Sequence, residues 1–281
     1  MLKGTTPGKF TPLGDGLHLG FELELFHRRG FSVVQDLPAP EKWHPQLEGY
    51  VAAAIKEFSV DGAEFLSQPA TLEEHRKRLP VFLEYLRANG FRTKKRERAG
   101  FHVHVERGAL GTDRDFENNL ERLVALLIYG GGTWERYQRR VVGRWAKQWA
   151  SPCREWASPC REPFPRWWGT PSPEERLDLA ALWVKWNSSR KSVRINLQHR
   201  ATLEFRQGAA SLDAGKLLGF LGFCESVCRY ARCVPLEPES PRQELARFLE
   251  FAQEAGYTLP SSRRKLQFRI SGNLHTVIVP S

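Results

Sequence analysis

The amino-acid sequence predicts an α+β fold in which an antiparallel sheet carries helices packed on one face. Segments that alternate or nearly alternate between apolar and polar residues interleave irregularly with segments whose apolar residues recur every three or four positions. No steady βα repeat of the kind that builds a parallel sheet runs through the chain. With 281 residues and 41% hydrophobic content the chain can bury a substantial core, as one large domain or two small ones.

The first strand is expected over residues 17–26, where Leu, Phe and Glu alternate. Residues 45–57 then carry Leu47, Val51, Ala54 and Ile55, followed by Phe58, at helical spacing, which predicts an amphipathic helix. Residues 58–69 read as two short extended pieces around an Asp61-Gly62 turn. Thr71 and Glu74 have the spacing of a capping box, so a helix is expected from there to Asn89, with Leu79, Phe82, Leu83 and Leu86 on its buried face and Gly90 as its stop. Pro80 within it should kink or split it.

A second strand is expected at residues 101–105. Asp113 then caps a helix through Phe116, Leu120, Leu123, Val124 and Leu127 that ends at Gly130–Gly132. A third strand is expected at residues 201–206. Asp213 caps a helix through Leu217, Phe220, Leu221 and Cys224, and Ser240-Pro241 opens a last helix toward Ala255.

In each of the three strands, two chemically active side chains stand two residues apart: Glu22 and Glu24, His102 and His104, Glu204 and Arg206. Residues i and i+2 of a strand project from the same face about 6 to 7 Å apart, so each pair delivers two functional groups to one space. A single Glu-x-Glu is most often a wet strand face, which usually mixes Lys, Thr, Ser and Glu. Three carboxylates, two imidazoles and one guanidinium are instead the groups that hold metal ions and clamp phosphate. Asp61 and Glu64 add two more carboxylates close together in sequence.

The composition narrows the setting. No apolar run approaches the roughly 20 residues of a membrane span, and the first residues have no apolar core of a signal peptide. Five cysteines, an odd number, argue for a reducing compartment, and the expected location is cytoplasmic. Cys224 and Cys228 fall on one helical face with no fourth ligand near, which favours buried structural thiols over a metal site. A net charge of +10 and an isoelectric point near 9.6 imply a field that attracts polyanions: nucleic acid, nucleotides or an acidic polymer.

Residues 149–155 are repeated identically as 156–162, as a short tandem duplication in a surface loop would be. Eight of the nine tryptophans lie between Trp134 and Trp186, interleaved with Arg136, Arg139, Arg140, Arg144, Arg154, Arg161 and Arg166. Such a segment suits either a stacking groove for single-stranded nucleic acid or nucleotide, or a Trp-rich lid with arginines at its rim.

The ordered set Gly20-Phe-Glu-Leu-Glu24, Asp61 with residues 64–69, Gly100-Phe-His-Val-His-Val105, and Asn196-Leu197 ahead of residues 202–206 resembles the amidoligase family, distant relatives of glutamine synthetase and the glutamate-cysteine ligases. The likeness covers roughly residues 17–230. It implies a single catalytic domain over residues 1–281 with a Trp/Arg-rich inserted loop at about 145–171. The implied fold is a curved antiparallel sheet, a partial barrel, with ATP and Mg²⁺ or Mn²⁺ on its inner face and helices on its outer face.

Carried over residue by residue, the resemblance makes Glu22, Glu24, Glu64, His102 and Glu204 metal ligands. His104 stands near nucleotide phosphate or substrate, and Arg206 holds the transferred phosphoryl group. Asp61 and Asn196 fall in substrate or phosphate binding. An arginine such as Arg144, Arg190 or Arg194 should reach the phosphates. The implied activity is ATP-dependent joining of a carboxylate to an amine through an acyl phosphate, with a peptide, protein or polymer as the modified partner. Joining these groups is uphill in water, and cations held by carboxylates together with an arginine are what phosphoryl transfer to the acid requires. His104 also suits a general base to the amine. Two other readings compete: a metal-dependent phosphodiesterase or nuclease using the same donors, and a non-catalytic nucleic-acid-binding protein using the Trp/Arg segment.

Overall fold

The computed structural model describes residues 12–27, 39–57, 62–93, 99–129, 195–197, 199–235, 241–257, 259, 264–270 and 273–279. Within them the chain runs β1 (Leu19–His27), α1 (Pro40–Trp43), β2 (Val51–Glu57), β3 (Gly62–Ser67), α2 (Leu72–Ala88), β4 (Phe91–Arg92) and β5 (Gly100–Glu106). It continues with α3 (Asp113–Tyr129), β6 (Ile195–Asn196), β7 (Thr202–Ala209), α4 (Ala214–Cys233), α5 (Pro241–Glu254), β8 (Arg264–Ile270) and β9 (Asn273–Val279). The main sheet has the order β2-β3-β1-β5-β7-β6, with β4 also on β1, and every pairing in it is antiparallel. Among the described residues the sheet is open, not closed into a barrel, and β8 and β9 pair separately as an antiparallel hairpin. The architecture is therefore mixed α+β, as the segment pattern predicts.

One face of the sheet is the core. Leu19, Phe21, Leu23 and Leu25 of β1 are all at most 2% exposed, and alternate residues of β3, β5 and β7 (Phe65, Phe101, Val103, Leu203, Phe205) are buried beside them. Helices α2 and α4 cover this face: the Phe82 ring lies 6.4 Å from Phe21 and 5.7 Å from Phe65, and Phe220 lies 6.1 Å from Phe101. Burying each such ring stabilises the fold by about 1.5–3 kcal/mol, enough to fix which face of each strand points inward. The residues between them, Glu22, Glu24, His102, His104, Glu204 and Arg206, are consigned to the opposite face.

The helix starts follow the capping chemistry. Thr71 Oγ1 accepts the Glu74 N–H at 3.3 Å, and Asp213 Oδ1 accepts the Lys216 N–H at 3.2 Å. Asn89 ends α2 and Gly90 follows with φ +81°, a left-handed conformation that favours glycine. Helix α3 begins at Asp113 and α5 at Pro241. The glycine stop expected for α3 at residues 130–132 lies outside the described residues, as does Asp61 of the expected turn.

One expectation is corrected and another is narrowed. Residues 45–57 are not a helix: Pro45–Leu47 is a single 3₁₀ turn, Gly49 turns the chain at φ +65°, and Val51–Glu57 is the strand β2. Its short apolar run satisfies both periods, and the ladder with β3, in which Val51 faces Ser67 and Ala54 faces Phe65, wins over local helix preference. Pro80 does not split α2, which runs unbroken from Leu72 to Ala88. Pro80 and Arg76, whose carbonyl loses its partner, both lie on the exposed side, while Leu79, Phe82 and Leu83 anchor the helix from the other.

Candidate metal centre

The site is written in the strand register. Glu24 stands opposite Glu64 across β1 and β3, Glu22 opposite His102 across β1 and β5, and His104 opposite Glu204 across β5 and β7. Directly opposed residues have Cβ atoms about 4.5–5.5 Å apart, so four neighbouring strands set these groups into one patch. Between Phe101 and Val103 the register of β5 against β7 shifts by a bulge, which places Arg206 in the irregular stretch of β7 beside His102.

Glu22 is the centre of the patch. His104 Nε2 donates to its Oε1 at 2.9 Å, and His102 Nδ1 donates to its Oε2 at 3.0 Å. Burial pushes the Glu22 carboxyl up, but the two imidazole hydrogen bonds and their charge outweigh it and hold the group well below the usual carboxylate range. Glu204, at 1% exposure the most buried of the acids, has Oε2 accepting from Asn196 Nδ2 at 2.7 Å and from His199 Nε2 at 3.0 Å. Its Oε1 is ion-paired with Arg206 and lies 3.6 Å from His102 Nδ1. Glu24 Oε2 accepts the backbone N–H of Gly100 at 2.6 Å.

Two sets of donor atoms are close enough to grip an ion each. One atom from each of Glu22, His104 and Glu204 lies within 4.8 Å of the others, and the same holds for Glu22, Glu64 and His102. Ligands about 2.0–2.2 Å from a common ion are at most some 4 Å apart, so each set is within a small adjustment of coordination. Glu22 belongs to both, and its two oxygens face different imidazoles. A carboxylate placed this way would serve both sets if each held a cation.

No family model matches the chain, and no curated protein resembles it at a significant level. The chemistry of the site therefore rests on its own residues.

Of the residues expected at the site, Glu22, Glu64, His102, His104 and Glu204 all supply donors to the two sets, and Arg206 is paired with one of them. Glu24 borders the patch, outside both sets, with one oxygen on the Gly100 amide. Asn196 is 2% exposed and directed at Glu204, so it lies behind that carboxylate. Asp61, Arg144, Arg190 and Arg194 lie outside the described residues, as do the inserted loop at 145–171, the repeat at 149–162 and the tryptophan-rich segment. Cys224 and Cys228 are fully buried in α4, in line with structural thiols, and burial pushes both thiols up from their ordinary value.

Three contributors carry no strand-pair signal. His199 sits in the turn between β6 and β7, its ring 5.1 Å from that of His104 and edge-on to it. Thr202 Oγ1 holds His104 Nδ1 at 3.2 Å. Gly100 leaves the notch that the His102 ring fills, since a Cβ there would come within 2.7 Å of His102 Nε2. The only sequence cue to His199 is its position five residues before Glu204 in a segment already expected to turn into a strand.

Proposed function

We propose that the protein is an ATP-dependent ligase that joins a carboxylate to an amine at a divalent-metal site, on a sheet of the glutamine synthetase-like type. The observation that carries the reading is the pair of donor sets sharing Glu22, with Arg206 bonded to one of their members. The residues fit cations: Glu22, Glu64 and His102 would hold one, and Glu22, His104 and Glu204 another. Carboxylates suit Mg²⁺ and imidazoles favour Mn²⁺, so one histidine per set weights the choice toward Mn²⁺. Bound there, such ions neutralise the β- and γ-phosphate oxygens of ATP.

The chain's own groups then have distinct tasks. Arg206, which pairs with Glu204, would present a planar guanidinium to the transferred phosphoryl group. An oxygen of the substrate carboxylate attacks the γ-phosphorus while the bond to ADP breaks, giving an acyl phosphate. The amine nitrogen attacks the acyl carbon, phosphate leaves, and the amine loses a proton to a base. The net charge of +10 favours an acidic molecule, peptide or polymer as the partner that supplies the carboxylate.

The test is ADP release from ATP with Mg²⁺ or Mn²⁺ against pools of carboxylates and amines, with Glu22→Ala alongside. The expected result is turnover that needs both an acid and an amine and is lost in the variant. Cleavage of DNA or RNA with no ATP consumption in any pool would refute the ligase reading in favour of a phosphodiesterase.

A further inference from the structure

We infer that His199 is a positioning residue for Glu204, and that Arg107 positions His199 in turn. The turn between β6 and β7 delivers two donors to one carboxylate oxygen: Asn196 Nδ2 at 2.7 Å and His199 Nε2 at 3.0 Å both reach Glu204 Oε2. Two hydrogen bonds commit that oxygen and set the plane of the carboxylate. Oε1, which pairs with Arg206 and faces His102, is then the oxygen that a cation would take in exchange for the guanidinium.

The same turn steadies a second donor. His199 packs edge-on against the His104 ring at 5.1 Å, and Thr202 Oγ1, just past the turn, meets His104 Nδ1 at 3.2 Å. Two of the three members of the Glu22, His104 and Glu204 set are therefore oriented by Asn196, His199 and Thr202. The set of Glu22, Glu64 and His102 is drawn from β1, β3 and β5, so the two sets differ in what holds them in place.

Arg107, immediately after β5, ties the turn down. Its Nη2 donates to the Leu197 carbonyl at 2.8 Å, its Nε to the His199 carbonyl at 3.1 Å, and its backbone N–H to the Ala201 carbonyl at 3.0 Å. The guanidinium lies 5.2 Å from the centre of the Phe116 ring, so α3 backs the clamp. A planar fork that meets two carbonyls at once is a task lysine performs poorly. Partners that orient a ligand in this way are typically worth about 10- to 100-fold in metal affinity.

This inference rests on the cation-holding reading of the site, and Mn²⁺ alone is the probe. Binding of Mn²⁺ to the full chain, followed by loss of its free-ion electron paramagnetic resonance signal, should resolve two sites per chain. His199→Ala should weaken one of them by about 10- to 100-fold, leave the other in place and keep the thermal unfolding midpoint. His199 is 47% exposed in its side chain, so added imidazole should enter the vacated position and restore the lost site. His199→Gln, which keeps a donor, should retain both sites, and Arg107→Lys should lose the same site as His199→Ala without imidazole rescue.

Two sites in the natural protein that are unchanged in His199→Ala would overturn the inference and leave the metal centre standing. Equal weakening of both sites, or a glutamine variant as poor as alanine, would also overturn it. A natural protein that binds no Mn²⁺ would remove this inference and the proposed function together.

Discussion

Adding one methyl group at Gly100 should disable the site while sparing the fold. A Cβ at this position would lie 2.7 Å from His102 Nε2 and 3.3 Å from Glu24 Oε2, against the 3.4 Å at which ordinary contact begins, so the His102 ring must retreat by about 0.7 Å. Moved that far from Glu22, the Nδ1 contact would lengthen from 3.0 Å to as much as about 3.7 Å, beyond hydrogen-bond range. The atom struck is the far end of a side chain, not backbone, so relief is cheap in stability: on the order of 1 kcal/mol, the worth of the hydrogen bond that is lost. Placement of a donor is less forgiving, and an error approaching 1 Å in a reacting group can cost about 100-fold in rate. Gly100→Ala is therefore expected to melt within a few degrees of the natural protein while the proposed Mn²⁺ affinity and ATP turnover fall at least tenfold, as about 1.4 kcal/mol of lost ligand energy would produce. Gly20→Ala is the control. Its Cβ would meet His104 Cβ at 3.8 Å, an ordinary contact on the same face of the neighbouring strand, and it should leave both readouts near natural values. Gly100→Ala with unchanged Mn²⁺ affinity would refute the claim that the notch over His102 sets the donor geometry.

Two further substitutions test the framework behind the site. His75 is fully buried between Tyr50, whose hydroxyl bonds Nδ1 at 2.8 Å, and the Leu19 carbonyl, which accepts from Nε2 at 2.9 Å; burial pushes its pKa down to about 4 against an ordinary 6.5. The unfolded chain takes up this proton before the folded one does, so the associated stability is complete above about pH 6.5 and is lost as pH falls toward 4, by on the order of 3 kcal/mol. Urea unfolding at pH 7 and pH 5 should show roughly 2 kcal/mol of that loss, and His75→Gln should flatten it; an unchanged slope would count against a neutral buried imidazole. Asp213→Ala removes the cap on the Lys216 N–H and should lower stability by about 1 kcal/mol in the same assay, with Mn²⁺ binding untouched because α4 lies on the other side of the sheet.

The legible parts of this chain were those in which one local rule decides the outcome. Thr71 and Asp213 start helices because a side-chain oxygen meets an amide three residues on, and no distant residue has to agree. The i, i+2 pairs on β1, β5 and β7 were readable for the same reason, since strand geometry alone puts both members on one face. Residues 51–57 resisted because their apolar run fits two periods, and the choice was made by β3 from outside the segment. His199 and Arg107 resisted more completely. His199 reaches Glu204 only because β6 and β7 pair as they do, and Arg107 reaches the turn from a strand some 90 residues earlier in sequence, through contacts with backbone carbonyls that no side-chain pattern announces.

The apolar face of the sheet does more than stabilise; it selects which chemistry is assembled. Strand β5 offers Phe101, Val103 and Val105 to one side and Gly100, His102 and His104 to the other. A slip of one residue against β1 would turn the imidazoles toward Phe21 and Phe220 and send Phe101 and Val103 to the carboxylates, exposing two large apolar groups and burying two polar rings without partners. Phe101 lies 5.4 Å from Phe21 and 6.1 Å from Phe220, so the slipped register forfeits both ring contacts at once. The same pressure acts on β1 through Leu23 and Leu25 and on β7 through Leu203 and Phe205. Packing against α2 and α4 thus holds three strands in the one register that brings Glu22, His102, His104 and Glu204 together. Four acidic groups gathered in one patch repel one another, and that strain falls on the face with no core of its own. It is balanced by the imidazole bonds to Glu22, by Arg206 on Glu204 and, in the proposed working state, by divalent cations.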